Sequence, residues 1–183
     1  ELAVPQNTLR AELRQLESKQ WEQITLPHTP FVEPLTVLHQ WQGICYYKKK
    51  ITITPEEAKK HIWIEFEGAM HLADVWINGK HVMQHAGGYT PFVVDATGLL
   101  KTGKENELLV RLDNRNNSLI PPGKPLETLD FCYYGGIYRN VHLIAKADVH
   151  ITHPILDGHP AGAGIFITYP KVSQELSVVD AKT

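Results

Sequence analysis

The stretch HIWIEFEGAMHLADVWINGKHVMQH, residues 61–85, decides the fold. Ile62, Ile64 and Phe66 alternate with Trp63, Glu65 and Glu67, the period-two pattern of a strand with one buried face and one wet or ligand-facing. Ala73, Val75 and Ile77 repeat the pattern and run into Asn78-Gly79, which supplies the two positive φ angles of a type I′ turn. Lys80 to His85 is therefore the return strand of a hairpin. Glu65 and Glu67 share a strand face roughly 7 Å apart, and an open sheet surface gives them no enclosing pocket, so they are expected to face solvent. His81 and His85 fall roughly 13 Å apart on a strand, too far to share one metal ion. The remaining histidines are scattered singly and read as surface or hydrogen-bonding groups.

Working outward, the alternation recurs between turn signals on both sides. Gly43 to Thr54 reads as a long strand with Ile44, Tyr46, Ile51 and Ile53 toward the core, which requires a bulge or bend at Lys48-Lys49-Lys50. Pro91 to Val94 is a short strand, Asp95 to Leu100 a turn, and Gly103 to Asn106 a loop before Leu108, Val110 and Leu112. Asn114 to Pro125 is a polar, proline-rich excursion, and Ile137 to Ala145 closes the domain. Nothing alternates strand with helix as a parallel sheet would, so the chain is all-β, an antiparallel sandwich. At the N-terminus Leu9, Leu13 and Leu16 lie at helical spacing within Thr8 to Gln20. Beyond the closing strand, Val149 to Ile155, Ile165 to Tyr169 and Leu176 to Thr183 read as further strands, too few to enclose a core of their own. The expected organisation is an N-terminal segment over 1–25, a sandwich over 26–147 and the start of a second sandwich over 148–183.

The composition fits this. The 183 residues are 43% hydrophobic and 21% charged, ordinary globular usage. A formal net charge of −2 and a pI near 6.6 give no reason to expect nucleic acid. The Lys48–Lys50 run reads as a solvated strand edge. Only Cys45 and Cys132 occur; no Cys-x-x-Cys spacing supports zinc or redox chemistry, and a single disulfide stays open. No run approaches 18 apolar residues and no export signal is apparent, so a soluble chain without a membrane partner is expected.

The chemistry concentrates at LETLDFCYYGGIYR, residues 126–139. There Asp130 stands beside an aromatic cluster, and a carboxylate next to aromatic faces suits a sugar, whose hydroxyls want charged acceptors and whose C–H face wants an apolar platform. Asn114, Asn116 and Asn117 precede the proline-rich loop as further candidates for the same rim. Trp76 is either a stacking platform or a packing residue, and Arg139 reads as a partner for a carboxylate of this domain or its neighbour. No nucleophile elbow, phosphate-cradling loop or enclosed carboxylate pair is found, so no catalytic or metal-ligating residue is assigned.

Six segments occur in a telling order: Leu26-Pro27-His28, Phe66-Glu67-Gly68-Ala69, Ala73 to Lys80, Gly87-Gly88-Tyr89-Thr90-Pro91-Phe92, Glu105-Asn106-Glu107-Leu108 and Gly135-Gly136-Ile137-Tyr138-Arg139. In this order they resemble the N-terminal sugar-binding domain of bacterial family 2 glycoside hydrolases, closest to the β-galactosidase branch. The resemblance implies a jelly-roll, galactose-binding-like β-sandwich followed by a truncated immunoglobulin-like one. It implies that Asp130 reaches the glycone in the site of a downstream catalytic barrel, with a monovalent cation near Asp130 in some complete enzymes. Both catalytic carboxylates lie in that barrel, so this chain alone is expected to be inactive. A β-linked carbohydrate and the barrel of the same polypeptide are the implied partners, and a homo-oligomeric parent is compatible with it. A β-glucuronidase shares the pattern around Asp130, and a free-standing carbohydrate-binding module is the rival from another class. The compartment, cytoplasmic or periplasmic, stays open.

Overall fold

The computed structural model describes residues 6–16, 21–32, 40–158 and 164–183. Helix α1 (Gln6–Leu16) is followed by β1 (Ile44–Ile51), β2 (His61–Phe66), β3 (Leu72–Ile77), β4 (Lys80–Ala86), β5 (Phe92–Asp95), β6 (Asn106–Asp113), β7 (Val141–Lys146), β8 (Phe166–Val172) and β9 (Ser177–Lys182). A four-stranded sheet runs β1-β6-β3-β4 and a three-stranded one β5-β2-β7, antiparallel throughout. Ile62, Ile64, Phe66, Phe92 and Val94 of the smaller sheet pack on Ala73, Val75, Ile77, Leu108, Val110 and Leu112 of the larger. Two antiparallel sheets closed over one apolar core make a β-sandwich. The Phe66 and Phe92 rings stack with centroids 4.5 Å apart at its centre.

The β3–β4 hairpin read from residues 73–85 is present. Asn78 and Gly79 turn the β3–β4 hairpin with φ of 51° and 78°, and Asn78 Oδ1 accepts the Glu107 backbone N–H, locking the turn to β6. The first strand departs from expectation. Its pairing with β6 is unbroken from Ile44↔Asp113 to Ile51↔Asn106, with no bulge at the lysines. Because each residue reverses the face, an unbroken strand keeps one parity: Cys45, Tyr47 and Ile51 contact the core, and Ile44 and Tyr46 lie on the opposite face. Lys48, Lys49 and Lys50 are exposed as expected.

Three further differences concern the ends. The closing strand starts at Val141; Ile137 lies before it, fixed by the His28 N–H donated to its carbonyl at 2.8 Å. Val149 to Ile155 is not a strand but an irregular segment across the outer face of β2. There His150 and His153 stand edge-on to Trp63, with centroids 5.1 and 5.5 Å away, and His153 Nε2 lies 3.5 Å from Glu65. Trp63 is thus buried and Glu65 half-buried, not wet as the alternation suggested. The helix expected over Thr8 to Gln20 spans Gln6–Leu16, and residues 17–20 lie outside the described ones. Strands β8 and β9 pair only with each other among the described residues and are exposed throughout.

The outer face of the larger sheet is charged, although buried. Tyr46, Arg111, Asp74 and Gln84 sit side by side across its four strands. Arg111 is 1% and Asp74 0% exposed. Gln84 and His81 each lie 3.0 Å from Asp74 Oδ1. Helix α1 covers this row: Glu12 Oε2 accepts from Arg111 Nε at 2.8 Å and from the Tyr46 hydroxyl. Leu13 and Leu16 of the helix are half-buried. Burial pushes the Glu12 carboxyl up, but the hydrogen bonds from Arg111 and Tyr46 outweigh it and hold the group below its ordinary value of 4.5.

A carboxylate held down in the folded state contributes stability above its unfolded value and loses it as pH falls through the folded one. Wild type should therefore have the higher urea midpoint than Glu12→Gln at neutral pH, and the two should converge as pH falls below the ordinary glutamate value. A gap independent of pH would contradict this ionic role.

Candidate functional site

The loop from Asn114 to Tyr138 leaves β6 and crosses the end of the sandwich where β3 begins. Its first residues, with His71 and Leu72, line a cleft of about 330 Å³ whose other walls are Asp113, Arg115, Asn116 and Asn117. Asp113 anchors this edge. Its Oδ1 accepts the Arg115 backbone N–H at 3.1 Å and Nε at 2.9 Å, and its Oδ2 accepts Arg115 Nη2 at 2.6 Å. Arg111 Nη2 reaches the same Oδ2 at 3.4 Å. Burial raises the Asp113 carboxyl, but the hydrogen bonds from Arg115 and the two guanidinium charges hold it below its ordinary value. The two-point fork fixes Arg115 in orientation as well as charge.

His71 forms the floor. It is 2% exposed, its ring lies 6.2 Å from Tyr133 in a stacked arrangement, and its Nδ1 is buried without a hydrogen-bond partner. Burial depresses its pKa against the opposing pull of Asp113, which keeps the ring neutral at pH 7. A surface or paired histidine was expected here, and the structure corrects that. Tyr133, itself buried, packs with Met70 and Leu126 in a small apolar cluster beneath the loop.

The sequence candidates separate by role. Asn114 is 1% exposed and its amide is spent on the chain itself: Oδ1 accepts the Gly43 N–H at 2.7 Å and Nδ2 donates to the Trp41 carbonyl at 3.1 Å. This corrects its place among the rim residues: one bond at each end leaves the amide a donor and an acceptor, but at 1% exposure it lies beneath the surface and not on the rim. Asn116 is exposed and lines the cleft; its Oδ1 accepts Gln42 Nε2 at 2.7 Å and the Leu126 N–H at 3.0 Å, tying the two ends of the excursion together. Asn117 also lines the cleft, and its Oδ1 accepts the Leu119 N–H in a local turn.

Asp130 follows the short helical turn Leu126–Thr128. It is exposed and makes no hydrogen bond or ion pair among the described residues, next to Phe131, which is 48% exposed. A capping role in its own turn is thus not what holds it. Gly136 lets the chain return: its φ is +102°, and a Cβ there would lie 2.5 Å from the Tyr47 hydroxyl and 2.6 Å from the His28 carbonyl.

Trp76 is buried and leans on His81 at 5.1 Å, a packing residue and not a platform. Arg139 is exposed and forms no ion pair among the described residues. Glu67 pairs with His142 at 3.1 Å on the open surface. Cys45 and Cys132 are free thiols, and burial pushes the Cys45 thiol up to about 12. No group of three or more histidine, cysteine or carboxylate side chains among the described residues is placed to hold a metal ion.

The cleft and the exposed Asp130 both belong to the excursion that follows β6, although Asp130 is not among the residues that line the cleft. The sequence model for "Glycosyl hydrolases family 2, sugar binding domain" matches residues 10–147. The chain belongs to glycosyl hydrolase family 2. It is 34% identical over 165 residues to a β-glucuronidase of Bacteroides fragilis, covering 87% of this chain and 22% of that protein. It is 34% identical over 153 residues to a β-galactosidase of Thermoanaerobacter pseudethanolicus, covering 82% and 20%. The solved structure of Bacteroides uniformis β-glucuronidase 2, covalently bound to cyclophellitol-6-carboxylate aziridine, superposes with a TM-score of 0.73 at 32% identity, over 88% of this chain and 18% of that one. The chain thus spans about a fifth of the length of these curated relatives. The family match starts at residue 10, inside helix α1, so Glu12 and the helix from residue 10 onward fall within the matched residues.

Residue sequence alone did not single out His71, Asp113 or Arg115. One signal was available: Arg111 and Asp113 fall on the parity opposite to Leu108, Val110 and Leu112, so that face of β6 is charged while the other is apolar.

Asn114→Ala should remove the side-chain bonds to the Gly43 N–H and the Trp41 carbonyl and cost about 1–3 kcal/mol in urea unfolding. An unchanged midpoint would show that these bonds do not hold the start of β1.

Proposed function

We propose that this chain forms one wall of the glycone site of a retaining β-glycosidase, preferring β-galactosides, whose catalytic barrel lies in further polypeptide. The observation that carries this reading is Asp130: an exposed carboxylate without a protein partner, on a loop pinned from beneath by Tyr133 and by Asn116. Such a group can accept two sugar hydroxyls at once, and holding the ring in register is where a non-reacting wall contributes to rate. A monovalent cation at Asp130 belongs to the same reading, with Asp130 as this chain's single carboxylate ligand and other oxygen donors coming from outside the domain.

Retaining chemistry is the reading for the whole enzyme because a Bacteroides uniformis relative is captured covalently bound to an aziridine, as expected of a site that forms a glycosyl-enzyme intermediate. The two catalytic carboxyl groups, about 5–5.5 Å apart in such sites, are assigned to the barrel. The exposed β8–β9 hairpin is read as the opening of an immunoglobulin-like domain, its apolar residues awaiting the rest of a sandwich. A β-glucuronidase is the second reading, favoured by the names of the Bacteroides fragilis and Bacteroides uniformis relatives.

In the full-length enzyme, Asp130→Ala should lower kcat/KM on 4-nitrophenyl β-galactoside at least a hundredfold, about 2.7 kcal/mol of transition-state stabilisation, with the melting temperature unchanged. Unaltered kinetics would remove Asp130 from the site. Turnover confined to the β-glucuronide would transfer the domain to the second reading. Micromolar galactoside binding by the isolated chain would favour a free-standing module instead.

A further inference from the structure

Helix α1 reaches the loop rim through an unbroken line of charged contacts. Glu12 Oε2 accepts from Arg111 Nε at 2.8 Å; through Nη2 the same guanidinium lies 3.4 Å from Asp113 Oδ2; and Asp113 holds both the side chain and the backbone N–H of Arg115. Arg111 is 1% exposed and the Asp113 side chain 10%, so both charges depend mainly on protein partners. Beyond Asp113 the line continues in covalent order. Asn114 bonds Gly43 and Trp41, Asn116 bonds the Leu126 N–H, and the Leu126–Thr128 turn leads to Asp130.

Asp113 Oδ2 is therefore shared between two guanidinium groups, at 3.4 Å to Arg111 and 2.6 Å to Arg115. The shorter bond is the one to Arg115, while Arg111 is engaged by Glu12 through Nε at 2.8 Å. Without Glu12, the carboxylates left beside Arg111 among the described residues are Asp113 and Asp74, the latter 3.8 Å away and outside hydrogen-bond reach. A buried guanidinium short of a partner closes on the nearest carboxylate, and that is Asp113.

We propose that Glu12 is a positioning residue for the carbohydrate site: by holding Arg111 it leaves Asp113 free to fold back the start of the 114–130 loop, and so sets the place of Asp130. This rests on the role given to Asp130 above. Glu12 lies on the outer face of the sheet and touches Arg111 and Tyr46, so its effect on sugar is indirect.

The test is a double-mutant cycle in the full-length enzyme, with 4-nitrophenyl β-galactoside kinetics and melting temperature measured for Glu12→Ala, Asp130→Ala and both together. Acting through Asp130, Glu12→Ala should lower kcat/KM about tenfold alone and less than about twofold when Asp130 is already gone. A merely structural helix would lower the melting temperature and give equal factors in both backgrounds, which overturns the proposal. Glu12→Gln preserves shape and one hydrogen bond and serves if the alanine variant does not fold; a smaller loss with the same dependence on Asp130 supports the proposal, and no loss overturns it. A silent Asp130→Ala would instead sink the underlying reading of the site, so the two failures are distinguishable.

Discussion

The guanidinium of Arg111 is the constraint around which the rest is arranged. A fully buried cation costs several kcal/mol unless its charge is matched and its N–H groups bonded. The fold meets that demand from three directions: Glu12 from helix α1, Asp74 from the neighbouring strand and Asp113 from two residues further along its own strand. The match is not complete, since Arg111 Nη1 and Asp74 Oδ2 face each other at 3.8 Å without other partners. This makes the N-terminal helix an integral cover of the larger sheet, and its absence would leave the most costly group of the domain underpaired. An apolar residue at this position would relieve the cost and remove the tie between helix and loop.

The two faces of the larger sheet thus divide the work. The inner one, built on Val75, Val110 and Leu112, supplies burial and fixes the sandwich. The outer one carries an ionic row whose last member, Asp113, stands where the strand ends and the rim loop begins. Rigid strands position the loop's root, and the apolar pair Leu126 and Tyr133 holds its far part down. Asp130 is left as an exposed carboxylate on a supported loop, which suits a group that must meet ligand without first breaking a bond within its own domain.

How much was legible beforehand follows from which forces are local. The β3–β4 hairpin and the core face of β2 were readable because alternation and the Asn78-Gly79 turn act over a few residues. The parity of β1 was misread because three exposed lysines mimic an interruption; only pairing with β6 shows that the strand runs straight through. Val149 to Ile155 has strand-like composition, yet Val149, Ile151 and Ile155 stay exposed and it is His150 and His153 that pack on Trp63, a tertiary preference that overrides propensity. At the site, Asp130 and Asn116 were named from type and neighbourhood. Asn114 was named with them and is buried, because nothing in a run of asparagines reveals which amide the backbone of a distant strand will claim. His71 and the Glu12–Arg111–Asp113 line were out of reach for the same reason: their partners are 99 and 2 residues away, and only folding brings the first pair together.

The claim at the centre is that this domain presents a carboxylate to a saccharide held in a pocket completed elsewhere in the polypeptide. A crystal structure of the full-length protein with a bound galactoside analogue tests it most directly. The account predicts an Asp130 carboxylate oxygen about 2.5–3.0 Å from a glycone hydroxyl. Asp130 directed into bulk solvent, with the sugar ring contacted by other domains alone, would contradict it.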